Sequence, residues 1–204
     1  MEQSMIAKKK TTTRDMTTGN SAKEIMLFAL PLMFGNIFQM LYNTVDSIVV
    51  GNYVSTQALA AVGATTMIVN MAVFFFNGFS VGAGVIIGRY FGAKNMDRLH
   101  DSIETTMAAT FVFCVLFTIV GMLAVPMMLN FMSTPEDVMA DASTYLRTYF
   151  AGIAGLLIYN MGSGILRAVG DTRRPLFFLV LTSLLNIGLD LLFVLGFHLG
   201  IFGV

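Results

Sequence analysis

Five apolar stretches alternate with short polar segments along the 204-residue chain. Each is long enough to cross a bilayer, whose hydrocarbon needs about 20 residues of helix. The first stretch runs from Ile25 to about Val50 with Pro31 inside it, the second from about Thr56 to Tyr90, and the third from about Ile103 to Met128. At Ser133-Thr-Pro-Glu-Asp137 a hydroxyl cap, a proline in the first turn and two acids facing the helix dipole predict the start of a fourth helix, which reaches about Val169. Gly170-Asp-Thr-Arg-Arg-Pro175 closes it before a fifth stretch from about Leu176 to Phe197. The second and third are joined by a charged connector, Phe91 to Ser102, holding Lys94, Asp97, Arg98 and Asp101. The chain stops inside a further apolar segment, Gly200-Ile-Phe-Gly-Val204, which predicts the beginning of a sixth span. The expected fold class is all-α: a polytopic transmembrane helix bundle of five helices plus the start of a sixth, preceded by a polar tail over residues 1–24.

Composition agrees with burial in lipid: 56% of residues are hydrophobic, 12% are charged, and the mean hydropathy is +0.76. Zero net charge, with basic residues in clusters rather than along a stripe, argues against nucleic acid as a partner. Those clusters report topology instead. The tail carries Lys8, Lys9, Lys10, Arg14 and Lys23, the second connector region Arg89, Lys94 and Arg98, and the fourth Arg167, Arg173 and Arg174. The intervening connectors carry none, and Arg147 is internal to the fourth helix, so the positive-inside bias predicts a cytoplasmic N-terminus. The polar start followed by a long apolar run containing Asp46 does not match a cleavable leader. The single cysteine, Cys114, excludes an intrachain disulfide and a cysteine-rich metal site.

The informative residues are those that hydrocarbon penalises. In the first span Asn36, Gln39, Asn43 and Asp46 fall within an arc of about 80° on a helical wheel. In the fifth, Thr182, Asn186 and Asp190 recur every four residues, with Ser183 at the flank. Helix four offers Asn160 and Ser163 above Arg167, and helix two Thr66, Asn70, Asn77 and Ser80. Isolated amides and hydroxyls of this kind serve as ordinary interhelical hydrogen bonds. The two aspartates are different, because no Lys or Arg stands at matching depth in their spans. At about 1.5 Å per residue, Asp46 lies about 30 Å and Asp190 about 20 Å from the cytoplasmic ends of their helices, which puts both in the outer half of the membrane. An ionised Asp at such depth costs roughly 2.5 to 3.5 kcal/mol on insertion scales. Each must therefore take up a proton or gather a cation with help from neutral oxygens, and either state is reversible. Gly82-Ala-Gly84 lacks the preceding strand and following lysine of a phosphate loop. The 16 methionines and Phe74-Phe-Phe76 suit lipid and helix packing, while His100 and His198 fall near connectors.

Several segments resemble the multidrug and toxic compound extrusion (MATE) transporters, bacterial type. They are Phe28-Ala-Leu-Pro-Leu-Met33, Asn43-Thr-Val-Asp-Ser-Ile-Val-Val-Gly-Asn-Tyr53, Gly88-Arg-Tyr-Phe-Gly-Ala-Lys94, the stretch from Asn160 to Pro175, and Asn186-Ile-Gly-Leu-Asp190. The resemblance implies the N-terminal lobe of a twelve-helix, two-lobe inner-membrane antiporter, with a C-terminal lobe as its partner. It implies no enzyme activity and no cofactor. Such a protein exports cationic or amphipathic drugs or toxins in exchange for Na⁺ or H⁺. Carried over by resemblance, Asp46, Asn160, Asn186 and Asp190 form the cation or proton site, with Asp46, Asn186 and Asp190 as ligands if the ion is Na⁺. Gln39, Tyr42, Asn43, Ser163 and Ser183 flank the drug cavity, and Pro31 marks a helix bend. Two readings compete with efflux. A lipid-linked saccharide flippase of related fold would line its cavity with basic residues for pyrophosphate, and an intramembrane aspartyl enzyme would need both carboxyls within a few ångströms.

Overall fold

The computed structural model describes residues 21–203, so most of the predicted polar tail lies outside the described residues. Five long helices follow: α1 (Ser21–Val49), α2 (Thr56–Gly92), α3 (Met96–Phe131), α4 (Glu136–Ala168) and α5 (Arg173–Leu191). All five spans are long and apolar enough to cross a membrane. A π turn, Val50–Val54, extends α1, another, Leu192–Gly196, extends α5, and a 3₁₀ turn at Gly200–Gly203 stands where a sixth helix was expected. No strand occurs among the described residues.

Helix α1 already begins at Ser21, so residues 21–24 belong to the helix and not to the tail. The predicted connector between the second and third spans is also largely helical. It shrinks to Ala93–Asn95, because the Asn95 side chain accepts the Arg98 N–H at 3.2 Å and Asp97 sits in the first turn, a capped start that recruits the charged segment into α3.

The predicted hydroxyl cap of α4 does not form. Pro135 occupies the cap position, and the buried Thr134 hydroxyl has no partner among the described residues. Ser133 and Thr134 instead terminate α3. Ser133 is left-handed (φ 52°), its N–H donates to Asn130 O at 3.0 Å, and the Thr134 N–H donates to Leu129 O at 3.2 Å. This is the Schellman pattern, and it recurs after α2, with Lys94 left-handed, and after α4, with Gly170 left-handed. Each helix thereby stops abruptly and the chain reverses in a few residues.

Packing divides the bundle into two groups. Helices α2, α3 and α4 enclose the main core, built from Phe76, Cys114, Val125, Leu146, Phe150 and Leu157 among others. Small residues bring α2 and α4 together: the Ser80 hydroxyl donates to Asn160 O at 3.1 Å, and Gly84 and Gly88 lie against Gly164 and Ala168. A Cβ on Gly164 would collide with the Ser80 hydroxyl, and one on Gly121 with the Phe150 ring. The second group pairs α1 with α5, where buried Gly35 admits the Leu179 side chain. Between the two groups lies a cavity.

Candidate functional site

The cavity has a volume of about 460 Å³. Helix α1 contributes Pro31, Asn36, Gln39 and Tyr42, α2 contributes Asn77, and α4 contributes Tyr159, Asn160, Ser163 and Arg167. Helix α5 closes it with Pro175, Thr182, Ser183 and Asn186. The wall is thus polar along narrow stripes and apolar between them, where Leu32, Val73, Leu156, Leu176 and Leu179 stand. Of the residues expected to flank a cavity, Gln39, Tyr42, Ser163 and Ser183 line it. Asn43 does not: it is exposed, and its backbone carbonyl accepts the Ser47 hydroxyl at 2.9 Å. Thr66 and Asn70 of α2 are also exposed and outside the cavity.

Thr182 and Asn186 join this cavity to a second one of about 420 Å³ that also includes Asp190 and Phe202. The Asn186 amide donates to Asp190 Oδ1 at 3.4 Å. Asp190 is only 3% exposed, and its carboxyl group lies within hydrogen-bonding reach of that of Asp46. The two aspartates, 144 positions apart in sequence (190 − 46), therefore meet across the α1–α5 contact. Neither Asp46 Oδ1 nor Asp190 Oδ2 receives a hydrogen bond among the described residues, and Asn186 Oδ1 is likewise buried without a partner. Two carboxylates at this separation repel unless a proton or cation stands between them, and three unpartnered oxygens are the acceptor set such an ion requires. Asn160 lines the large cavity, and its amide donates to Leu156 O at 2.9 Å within its own helix.

Sequence reasoning missed two tyrosines of α4. Tyr145 is close enough to interact electrostatically with both Asp46 and Asp190, and Tyr149 with Tyr145 and Tyr42. The Tyr149 hydroxyl is buried without a partner among the described residues. A signal existed: on a helical wheel Tyr145, Tyr149, Asn160 and Ser163 share an arc of about 60°. Tyrosine passes as a packing residue in a hydropathy profile, which is why the stripe looked as if it began at Asn160.

A lipid-spanning helical bundle with an amide- and hydroxyl-lined cavity and a buried carboxyl pair at one end of it has the construction of a membrane transporter lobe. The family model MatE matches residues 31–192, and the chain belongs to that family. Its relatives include the Probable multidrug resistance protein YpnP of Bacillus subtilis, 32% identical over 93% of this chain and 42% of that protein. Crystal structures of MATE in the straight and in the bent conformation match with TM-scores of 0.83 and 0.82, at 30% and 31% identity. Each covers 91% of this chain and 41% of the solved one. The chain therefore spans less than half the length of the relatives it matches.

Proposed function

We propose that this chain forms the N-terminal lobe of a cation-coupled efflux transporter, which exports cationic or amphipathic drugs or toxins in exchange for Na⁺ or H⁺ and works together with a C-terminal lobe. The observation that carries the reading is the contact between Asp46 and Asp190 beside Asn186, which also lines the large cavity. In the ion-loaded state a proton or Na⁺ neutralises the pair, and α1 and α5 draw together. Loss of the ion leaves two charges facing each other and favours a different packing of α1. Pro31 supplies a bending point, since it withholds one helical hydrogen bond, and solved relatives described as straight and bent fit such a change. Ion and drug thus compete through the shape of one lobe, and their differential affinity for its two states provides the coupling. If the ion is Na⁺, Asp46, Asn186 and Asp190 are its ligands and Tyr145 stands beside them; Asn160 serves the cavity. The basic ends of the helices face the cytoplasm.

Flippase activity is less well supported. A pyrophosphate calls for several cations, and one guanidinium lines the cavity. The test uses everted vesicles carrying the full-length protein, in which drug addition should dissipate a sodium gradient or a pH gradient. Asp46→Asn and Asp190→Asn should abolish that response while membrane insertion persists. Gradient-driven export at wild-type rates in both variants would make the carboxyl pair structural and overturn the mechanism.

A further inference from the structure

Among the described residues, Arg167 is the only formally charged one that lines the large cavity. Helix α4 delivers it one residue before its end, on the stripe that carries Ser163 one turn earlier. The acid that would ordinarily neutralise it at that spacing is Asp171, four residues on. That carboxylate is engaged within its own turn: Asp171 is 1% exposed, its Oδ1 accepts the N–H groups of Arg173 and Arg174 at 3.1 and 3.2 Å, and its Oδ2, which accepts no hydrogen bond among the described residues, forms an ion pair with Arg174 Nε at 3.2 Å. Arg167 makes no ion pair with a described residue. Asp46 and Asp190 do not line this cavity and offer no countercharge within it.

A half-buried guanidinium carries five N–H donors in a planar fork and a charge that low-dielectric surroundings penalise unless an anion answers it. The surroundings here are selective. Leu176 and Pro175 provide an apolar flank, and Tyr159 lines the cavity near Arg167 with its hydroxyl donating to Pro175 O at 3.1 Å. The cavity volume lies within the range of small-molecule pockets, about 300 to 1,000 Å³. One fork suits one carboxylate in bidentate geometry.

We propose that Arg167 is an anion-recognition point of the cavity, and that this lobe engages amphipathic molecules bearing a single carboxylate, or a monoanion of similar size, on an apolar body. The proposal rests on the efflux reading and narrows its substrates from cationic or amphipathic compounds to amphiphiles with an acidic group. The carboxylate takes the fork at the end of α4, while the apolar body lies against Leu32, Leu156 and Leu179.

The test compares a xanthene dye as its free carboxylic acid with the ethyl ester of the same dye, binding to purified full-length protein by fluorescence polarisation. The wild type is expected to bind the acid about tenfold more tightly than the ester, the scale of one charge-assisted hydrogen-bonded pair. Arg167→Gln should erase the preference while leaving ester affinity within about twofold, and Arg167→Lys should keep part of it. Unchanged ester binding also certifies that the variants are folded. Equal binding of acid and ester by the wild type overturns the proposal without recourse to any variant. So does a loss in Arg167→Gln that falls equally on both dyes. Export of the ester together with absence of acid preference would leave the efflux reading standing and remove only the anion site. Failure of the wild type to bind or export either dye would remove both.

Discussion

The carboxyl pair concentrates at residue scale what the protein has to do in lipid. If Asp46 and Asp190 share one ion, as proposed, they act as a unit and their replacements should not add. The double variant Asp46→Asn/Asp190→Asn is expected to transport no worse than either single variant, as measured by the initial rate of gradient dissipation in vesicles. Two independent sites would instead give a product of the single losses. Tyr145 is close enough to interact electrostatically with both aspartates. Replacing Tyr145 by Phe, which removes only the hydroxyl, should weaken the apparent affinity for the coupling ion by about three- to tenfold while protein yield stays unchanged. A proportionate loss of folded protein would show that Tyr145 merely packs.

At the scale of elements, helix ends and helix contacts decide how firmly the cavity walls are held. Lys94 bears a side chain at φ 55°, a backbone region that costs an L-residue roughly 1 kcal/mol, whereas Gly170 occupies φ 85° without that penalty. Lys94→Gly should therefore raise the thermal midpoint of the solubilised protein by a few degrees, and Gly170→Ala should lower it. The α2–α4 contact makes a sharper demand. An alanine at Gly164 must displace Ser80, which is buried and donates to Asn160 O, so Gly164→Ala should destabilise by about 1 to 3 kcal/mol. The comparison is Gly162→Ala, two residues away and in open space, which should be near neutral or stabilising. Equal thermal midpoints for the two variants would refute the close-packing argument.

For the whole molecule, the charged helix ends set the orientation. Lys94 and Arg173 are exposed in the short connections at the end where α4 finishes and α5 starts, and Gln57 and Glu136 are exposed at the opposite end. In intact cells, Gln57→Cys and Glu136→Cys should react with an impermeant maleimide, while Lys94→Cys and Arg173→Cys should react only after permeabilisation. The native thiol does not interfere, because Cys114 is buried in the core and points at Ala154 O. Labelling of Lys94→Cys from outside would reverse the topology and place the carboxyl pair in the inner half of the membrane.

How much of this was legible beforehand follows from the range over which each signal acts. Hydropathy and helical periodicity are local, so the chain alone determined five spans, the polar stripes of α1 and α5, and the motifs that place it in the MatE family. Asp46 and Asp190 stood out individually because hydrocarbon penalises a charge whatever its neighbours are. Their meeting could not be read, since it depends on which faces of α1 and α5 pack, as Gly35 against Leu179 does. The same limit hid Tyr145 and Tyr149, whose significance lies in what stands opposite them, and overstated Asn43, which shares a stripe with Gln39 but not a cavity. Helix boundaries failed for a related reason. Ser133 and Thr134 carry the chemistry of a cap, yet the reversal from α3 claimed their backbone first. Arg167 shows the division most plainly. Sequence reads it as one more basic residue near a helix end; the local turn ties Asp171 to Arg173 and Arg174, and only the tertiary structure sets that guanidinium on the cavity wall.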